Sequence, residues 1–177
     1  MSKASQRNKP GSEPLVFQDM ESPIGRLRLI GTGDVLVGIW FEQGRDAAKS
    51  DDTLIEGTLP VIDLARAQLE EYFRGERRDF DLPLAPRGTE FQQRVWQRLR
   101  SIQYGTTTTY GALAGELGNP NASRAVGLAN GSNPIPIVIP CHRVIGANGA
   151  LTGFGGGLPI KSALLELERK QAQPALF

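Results

Sequence analysis

The chain has one cysteine, Cys141, followed at once by its only histidine, His142, and by Arg143. A thiol becomes a nucleophile only by losing its proton, and a neighbouring imidazole or cation lowers its pKa or takes that proton. A lone cysteine is ordinarily a small core hydrophobe. Here the preceding stretch, residues 133–140, is apolar and broken by Pro134, Pro136 and Pro140. Such a run supports little strand, at most 137–139, at an edge or a strand start. The residue types suit covalent chemistry and leave a hydrolase, a redox thiol and an alkyl acceptor open. A single cysteine excludes an internal disulfide, and with one histidine a structural zinc site is excluded as well, so no metal is expected.

Several elements must position these residues. Alternation over 26–30 and β-formers over 35–41, with Gly31, Gly33 and Asp34 between them, predict an antiparallel hairpin. From Val61 to Phe73 the apolar residues recur at helical spacing and Gly75 stops the pattern. Residues 79–87, with Pro83 and Pro86, read as a linker. Thr89 with Gln92 is a capping-box signature ahead of Phe91, Val95, Leu99 and Ile102 on one face. Thr109 caps a short helix over 110–117 that Gly118 ends, and Asn119-Pro120 is expected to start another, running to about Asn130. Two short helices around a Gly-Asn-Pro turn make a helix-turn-helix candidate, although paired helices in a core are commoner than nucleic-acid readers. The second of them carries Ala122, Ser123, Arg124, Ala125, Val126, Gly127, Leu128 and Ala129, read as small side chains around one long cation, as a close contact surface would have. Val144 and Ile145 are expected to pair with Leu151 around Asn148-Gly149. The run Gly153, Phe154, Gly155, Gly156, Gly157 reads as a loop using conformations other residues resist. Pro159 opens a last helix with Ile160, Leu164 and Leu167 on one face and Glu166 and Glu168 near its end.

At 177 residues, with 40% apolar and 22% charged, the chain suits one domain or two small ones sharing a core, and not a disordered chain. The net charge of +1 hides an asymmetry: residues 1–87 hold 12 basic and 15 acidic groups, residues 88–177 hold 8 and 4. A polyanion would meet the second half. The polar first fifteen residues lack a signal-peptide core, and no apolar run reaches bilayer length, so the expected location is the cytoplasm, with no membrane partner and the thiol kept reduced.

Pro140-Cys141-His142-Arg143-Val144-Ile145, with Asn133-Pro134 before it and Gly156-Gly157-Leu158 and Lys161 after it, resembles the active-site signature of the O6-alkylguanine-DNA alkyltransferases, or methylated-DNA protein-cysteine methyltransferases. The resemblance continues upstream through Phe91-Gln92, Tyr110-Gly111, Gly118-Asn119-Pro120, Arg124-Ala125-Val126-Gly127 and, more weakly, Ser22-Pro23-Ile24-Gly25, covering about residues 15–169. It implies an α/β N-terminal domain over 14–86, ribonuclease-H-like with a small antiparallel sheet plus helix. A mainly helical C-terminal domain with a helix-turn-helix would follow over 87–170, with flexible tails at 1–13 and 171–177.

The same resemblance implies transfer of an alkyl group from guanine O6 in duplex DNA to Cys141, once per molecule and without a cofactor. His142 would act as base through a water, Glu168 would orient it, and Asn133 would hold the active-site turn. Tyr110 would press on the target phosphate and give a proton to the departing purine. Arg124, flanked by Ala122, Ser123 and Ala125 at the DNA, would fill the gap left by a flipped nucleotide. Val144 and the Gly153, Phe154, Gly155, Gly156 loop would line the base pocket. Phe154 stands where the family usually has Tyr, and Gly155 where a small side chain is commoner; transfer is expected to survive both. The implied partner is duplex DNA bearing O6-alkylguanine, with O4-alkylthymine a further candidate lesion, bound by a monomer that could cluster along DNA. The competing classes are a non-catalytic alkyltransferase-like damage binder, which would lack the acceptor thiol, a helix-turn-helix regulator, which would need base-reading side chains that 122–129 do not supply, and a cysteine hydrolase, which would turn over many substrates.

Overall fold

The computed structural model of the chain describes residues 13–173. Of the two expected tails, only Glu13 and residues 171–173 fall among the described residues, and there the last helix continues through Ala172.

Four strands form the first sheet: β1 Val16–Met20, β2 Leu27–Thr32, β3 Val35–Phe41 and β4 Ile55–Glu56, in the order β3-β2-β1-β4. The expected hairpin is β2 and β3, turning at Gly33, whose φ of +56° suits a tight reversal. The sheet is mixed and not purely antiparallel, because β4 runs parallel to β1, with Val16 opposite Ile55. Helix α1, Pro60–Phe73, lays Val61, Ile62, Ala65, Leu69 and Tyr72 into the core, as its spacing required. The stretch read as a linker is stitched to the free edge of β3: Leu36 N–H donates to Pro83 O at 2.9 Å and Ala85 N–H to Leu36 O at 2.9 Å. Prolines serve here because the edge needs only some of the segment's donors.

Helix α2, Glu90–Leu99, starts with the full Thr89–Gln92 capping box and sends the Trp96 indole N–H 2.8 Å to Ala129 O. Helix α3, Tyr110–Glu116, is capped by Thr109 and ended by Gly118 at φ +86°. Helix α4, Ser123–Gly131, begins later than expected. Asn119 makes a turn instead of a cap: its Oδ1 accepts from Asn121 N–H at 3.2 Å and its carbonyl from Ala122 N–H at 3.0 Å. Residues 137–139 form no strand; only an isolated bridge joins Pro136 and Ile139, and Ile137 sits at φ +72°, a costly region for a β-branched residue. Strand β6, Val144–Ile145, pairs in parallel with β5, Thr108–Thr109, and not with Leu151. The Asn148-Gly149 turn closes through Gly146 N–H and Ala150 O at 2.9 Å instead. Helix α5, Leu158–Ala172, buries Ile160, Lys161, Leu164 and Glu168. One hydrophobic core runs through both halves. No helix among the described residues is long and apolar enough to cross a membrane.

Candidate active site

Cys141 opens a single 3-10 turn, Cys141–Arg143, that follows Pro140. The approach to it is pinned by Asn133, whose Nδ2 donates to Ile139 O at 2.7 Å while its Oδ1 accepts from Ile135 N–H at 3.0 Å. Asn130 donates to the Cys141 carbonyl at 3.3 Å. The sulfur lies at a cleft of about 350 Å³ whose walls include Phe41, Asp46, Asn133, Pro136, Phe154 and Gly155. Burial pushes the thiol up to about 11, against the pull of the Asn133 hydrogen bond and the Lys161 charge. Of the two routes open to the thiol, a lowered pKa is disfavoured: at neutral pH the sulfur keeps its proton, and a base must remove it during the reaction.

The residue expected to act as that base is the next one in the chain. The His142 ring is fully buried, and its Nε2 lies 2.7 Å from Glu168 Oε1. Burial, outweighing the attraction of Glu168, holds the imidazole below its usual range, so it is neutral at pH 7. A neutral ring facing a carboxylate carries its proton on Nε2, which leaves the Nδ1 lone pair free to accept one. Nδ1 is buried without a partner among the described residues.

Glu168 is gripped from several sides. Its Oε1 also accepts from Tyr72 Oη at 2.8 Å and Arg143 Nη2 at 2.9 Å, and its Oε2 accepts from Arg143 Nε at 2.9 Å and Gly105 N–H at 3.3 Å. Burial alone would raise this carboxyl, but the hydrogen bonds and charge of His142 and Arg143 outweigh it and hold Glu168 well below the usual carboxylate range. Cys141, His142, Glu168 and Asn133 thus meet in one cluster. An acceptor sulfur, a base and an anchored carboxylate can carry out nucleophilic displacement.

Tyr110, at the first position of α3, lies outside that cluster; its hydroxyl accepts from Thr152 Oγ1 at 2.7 Å. Arg124 and Ala125 are exposed on α4, with Ala122 and Ser123 half-buried beside them. Leu128, one turn on, is 73% exposed, so the outer face of α4 presents an apolar side chain next to a cation. A second cleft of about 560 Å³ includes Tyr110, Arg124, Leu128 and Thr152, and it shares Arg45, Gly131, Ser132 and Gly153 with the thiol cleft, so the two adjoin.

Gly153, Phe154 and Gly155 line the thiol cleft as expected of a pocket wall, but Val144 and Gly156 do not. Val144 is buried and its carbonyl accepts from Lys161 Nζ at 2.6 Å. Gly156 lies behind the wall, where a Cβ would come within 2.7 Å of the Phe41 ring. Among the loop glycines 153–157 only Gly157, at φ +95°, has a left-handed conformation; Gly155 and Gly156 are needed for close approach. Among the described residues no group of three or more His, Cys, Asp or Glu side chains converges where a metal could bind.

Sequence reading missed the wall that the first half supplies: Phe41 and the 3-10 segment Gly44–Ala48, with Arg45 and Asp46. Asp46 N–H donates to Gly155 O at 3.2 Å, and its Oδ2 accepts from Phe41 N–H at 3.0 Å. A glycine followed by charged residues looks like any surface loop, and no local signal announced this docking. Tyr72 was hidden in the same way, as one apolar position on a helix face.

Comparison with known proteins is consistent along the chain. A model of the 6-O-methylguanine DNA methyltransferase ribonuclease-like domain matches residues 15–86, and one of the DNA-binding domain of the same proteins matches residues 90–170. A methylated-DNA–protein-cysteine methyltransferase from Methanosarcina acetivorans is 53% identical over 154 residues, spanning 87% of this chain and 98% of the relative. One from Mycobacterium bovis is 50% identical over 158 residues, spanning 88% and 93%. The crystal structure of Mycobacterium tuberculosis OGT in complex with DNA superposes with a TM-score of 0.82 at 48% identity, over 88% of this chain and 94% of that one.

Proposed function

The chain belongs to the 6-O-methylguanine DNA methyltransferase family, and on that premise we propose that it repairs DNA by moving an alkyl group from guanine O6 in duplex DNA to Cys141. The observation that carries this reading is the buried Cys141 thiol beside an imidazole–carboxylate pair, at a cleft that adjoins the small-residue face of α4.

The sulfur–carbon bond forms as the carbon–O6 bond breaks. His142 Nδ1 takes the thiol proton through a water, the departing guanine receives a proton from the Tyr110 hydroxyl, and solvent then returns a proton to Tyr110 as the imidazolium gives one up, so that the net transfer is one proton from sulfur to guanine. Glu168 holds the imidazolium while it exists. A thioether offers no easy leaving path, so each molecule reacts once. Guanine O6 lies inside the duplex and the sulfur lies inside the protein, so the nucleotide must swing out, at a cost of a few kcal/mol that is smaller for a damaged base. The α3–α4 pair then acts as a helix-turn-helix on the minor groove, with Arg124 filling the vacated stack. The protein works as a monomer in a reducing cytoplasm, and O4-alkylthymine is a second lesion it could take.

The test mixes the protein with an O6-methylguanine duplex and maps the adduct by peptide mass spectrometry. One methyl on the peptide containing residue 141, saturating at one equivalent, is expected, and Cys141→Ala should bind DNA and transfer nothing. Repair with an unmodified sulfur, or many lesions mended per molecule, overturns the reading.

A further inference from the structure

Tyr72 lies on α1, in the half that carries the sheet, 96 residues from Glu168 in sequence. It is fully buried, and its ring packs at 5.3 Å from Phe73, 5.5 Å from Phe80 and 6.1 Å from Tyr104. Phenylalanine would satisfy those contacts equally well. A hydroxyl in such a place costs free energy unless it is bonded, and this one donates 2.8 Å to Glu168 Oε1, the oxygen that also holds His142 Nε2.

We propose that Tyr72 is a positioning residue for the transfer reaction, its hydroxyl fixing the Glu168 oxygen on which the His142 ring is oriented. This rests on the alkyl-transfer reading above. The physical argument concerns competition at one atom. Oε1 accepts three donors, from Tyr72, His142 and Arg143. Each donor draws charge from the carboxylate, so the Tyr72 hydroxyl weakens the hold of Oε1 on the imidazole proton while fixing where that oxygen lies. The charged groups facing the ring are Glu168 and Lys161 from α5 and Arg143 from the 3-10 turn. The titratable groups facing the carboxylate from elsewhere are Tyr72 on α1 and Tyr104 after α2. Of the two hydroxyls, the Tyr72 one is bonded to Oε1, and conservative replacement removes it without changing formal charge.

The chain has one histidine, so its ring nitrogens give unambiguous NMR signals in the 15N-labelled full-length protein. The wild type would be compared with Tyr72→Phe and with a fluorinated tyrosine placed at 72, which keeps the ring and is a stronger donor. Loss of the hydroxyl leaves more charge on Oε1 and favours the imidazolium. In Tyr72→Phe the His142 titration midpoint should therefore rise by about half a pH unit, a roughly threefold change in proton affinity. The acid limb of the rate of transfer to Cys141 should move up by the same amount, and fluorotyrosine should move both downward. A folded Tyr72→Phe protein with unmoved midpoint and acid limb overturns the proposal, even if its rate falls, because a purely structural role predicts that pattern. Should Tyr72→Phe not fold, absence of a downward shift with fluorotyrosine overturns it. If the wild type fails to alkylate Cys141, the alkyl-transfer reading falls, and the histidine titration still decides whether Tyr72 acts on His142.

Discussion

At Cys141 the protein holds a nucleophile in its unreactive form. A thiol pushed up to about 11 from an ordinary 9.0 costs about 3 kcal/mol more to ionise. The reaction must therefore couple proton removal to substrate arrival, and in the mechanism proposed above that proton goes to His142 Nδ1, buried without a partner among the described residues. In the proposed function Arg124 serves a different step. It stands exposed on α4, at the cleft adjoining that of the thiol. Arg124→Ala should slow transfer from an O6-methylguanine duplex by roughly tenfold or more while leaving reaction with free O6-benzylguanine within about twofold, since only the duplex needs its stack filled. Equal slowing in single-turnover assays of both substrates would remove that role. Cys141 and His142 were legible because they are adjacent in the chain, between Pro140 and Arg143, whereas the role of Asn133 came only with the family resemblance. Glu168 was reachable only through family resemblance. Tyr72 and Asp46 left no sequence signal, because the contacts that make them matter come from distant segments.

At the scale of elements, the legible parts were those whose causes are local. The hairpin of β2 and β3, the capped starts of α2 and α3, and the apolar faces of α1 and α5 each follow from spacing within a few residues. The parallel pairings of β4 with β1 and β6 with β5 were not legible, because a two-residue strand acquires its identity from its partner. The docking of Gly44 on the glycine loop is of this second kind. Its φ is +69°, and a Cβ would lie 2.5 Å from Gly155 O and 2.6 Å from Gly157 N, both backbone atoms that cannot swing aside. Gly44→Ala should cost about 3 kcal/mol or more, combining left-handed strain with a forced shift of the loop. Gly149→Ala, at φ +79° with nothing within 4 Å, should cost only about 1–2 kcal/mol. Urea midpoints of the two variants check the contrast; equal losses would mean that the 44–157 contact carries no weight.

For the whole molecule, the site's ionisable groups set the pH range of stability. His142 and Glu168 both bind protons less readily when folded than their ordinary values of 6.5 and 4.5 imply. Their contributions are complete above those values and are lost as pH falls, the histidine's first. Cys141 has the opposite sign: its contribution is complete below 9.0, is lost as pH rises through about 11, and amounts to about 3 kcal/mol. Stability should therefore level off between about pH 6.5 and 9.0 and decline on both sides. Urea midpoints across pH for the wild type and Cys141→Ser check this. The difference between the two should change only on the alkaline side, which separates the thiol from Lys161 and Tyr72. The same covered, protonated sulfur also governs how the protein behaves at the bench. Maleimides, iodoacetamide and dissolved peroxide attack the ionised, accessible form, so without a base placed for them they should react more slowly with folded molecules than with opened ones. The fast fraction in a timed thiol assay should therefore follow the opened molecules in a preparation, and the slow fraction the folded ones.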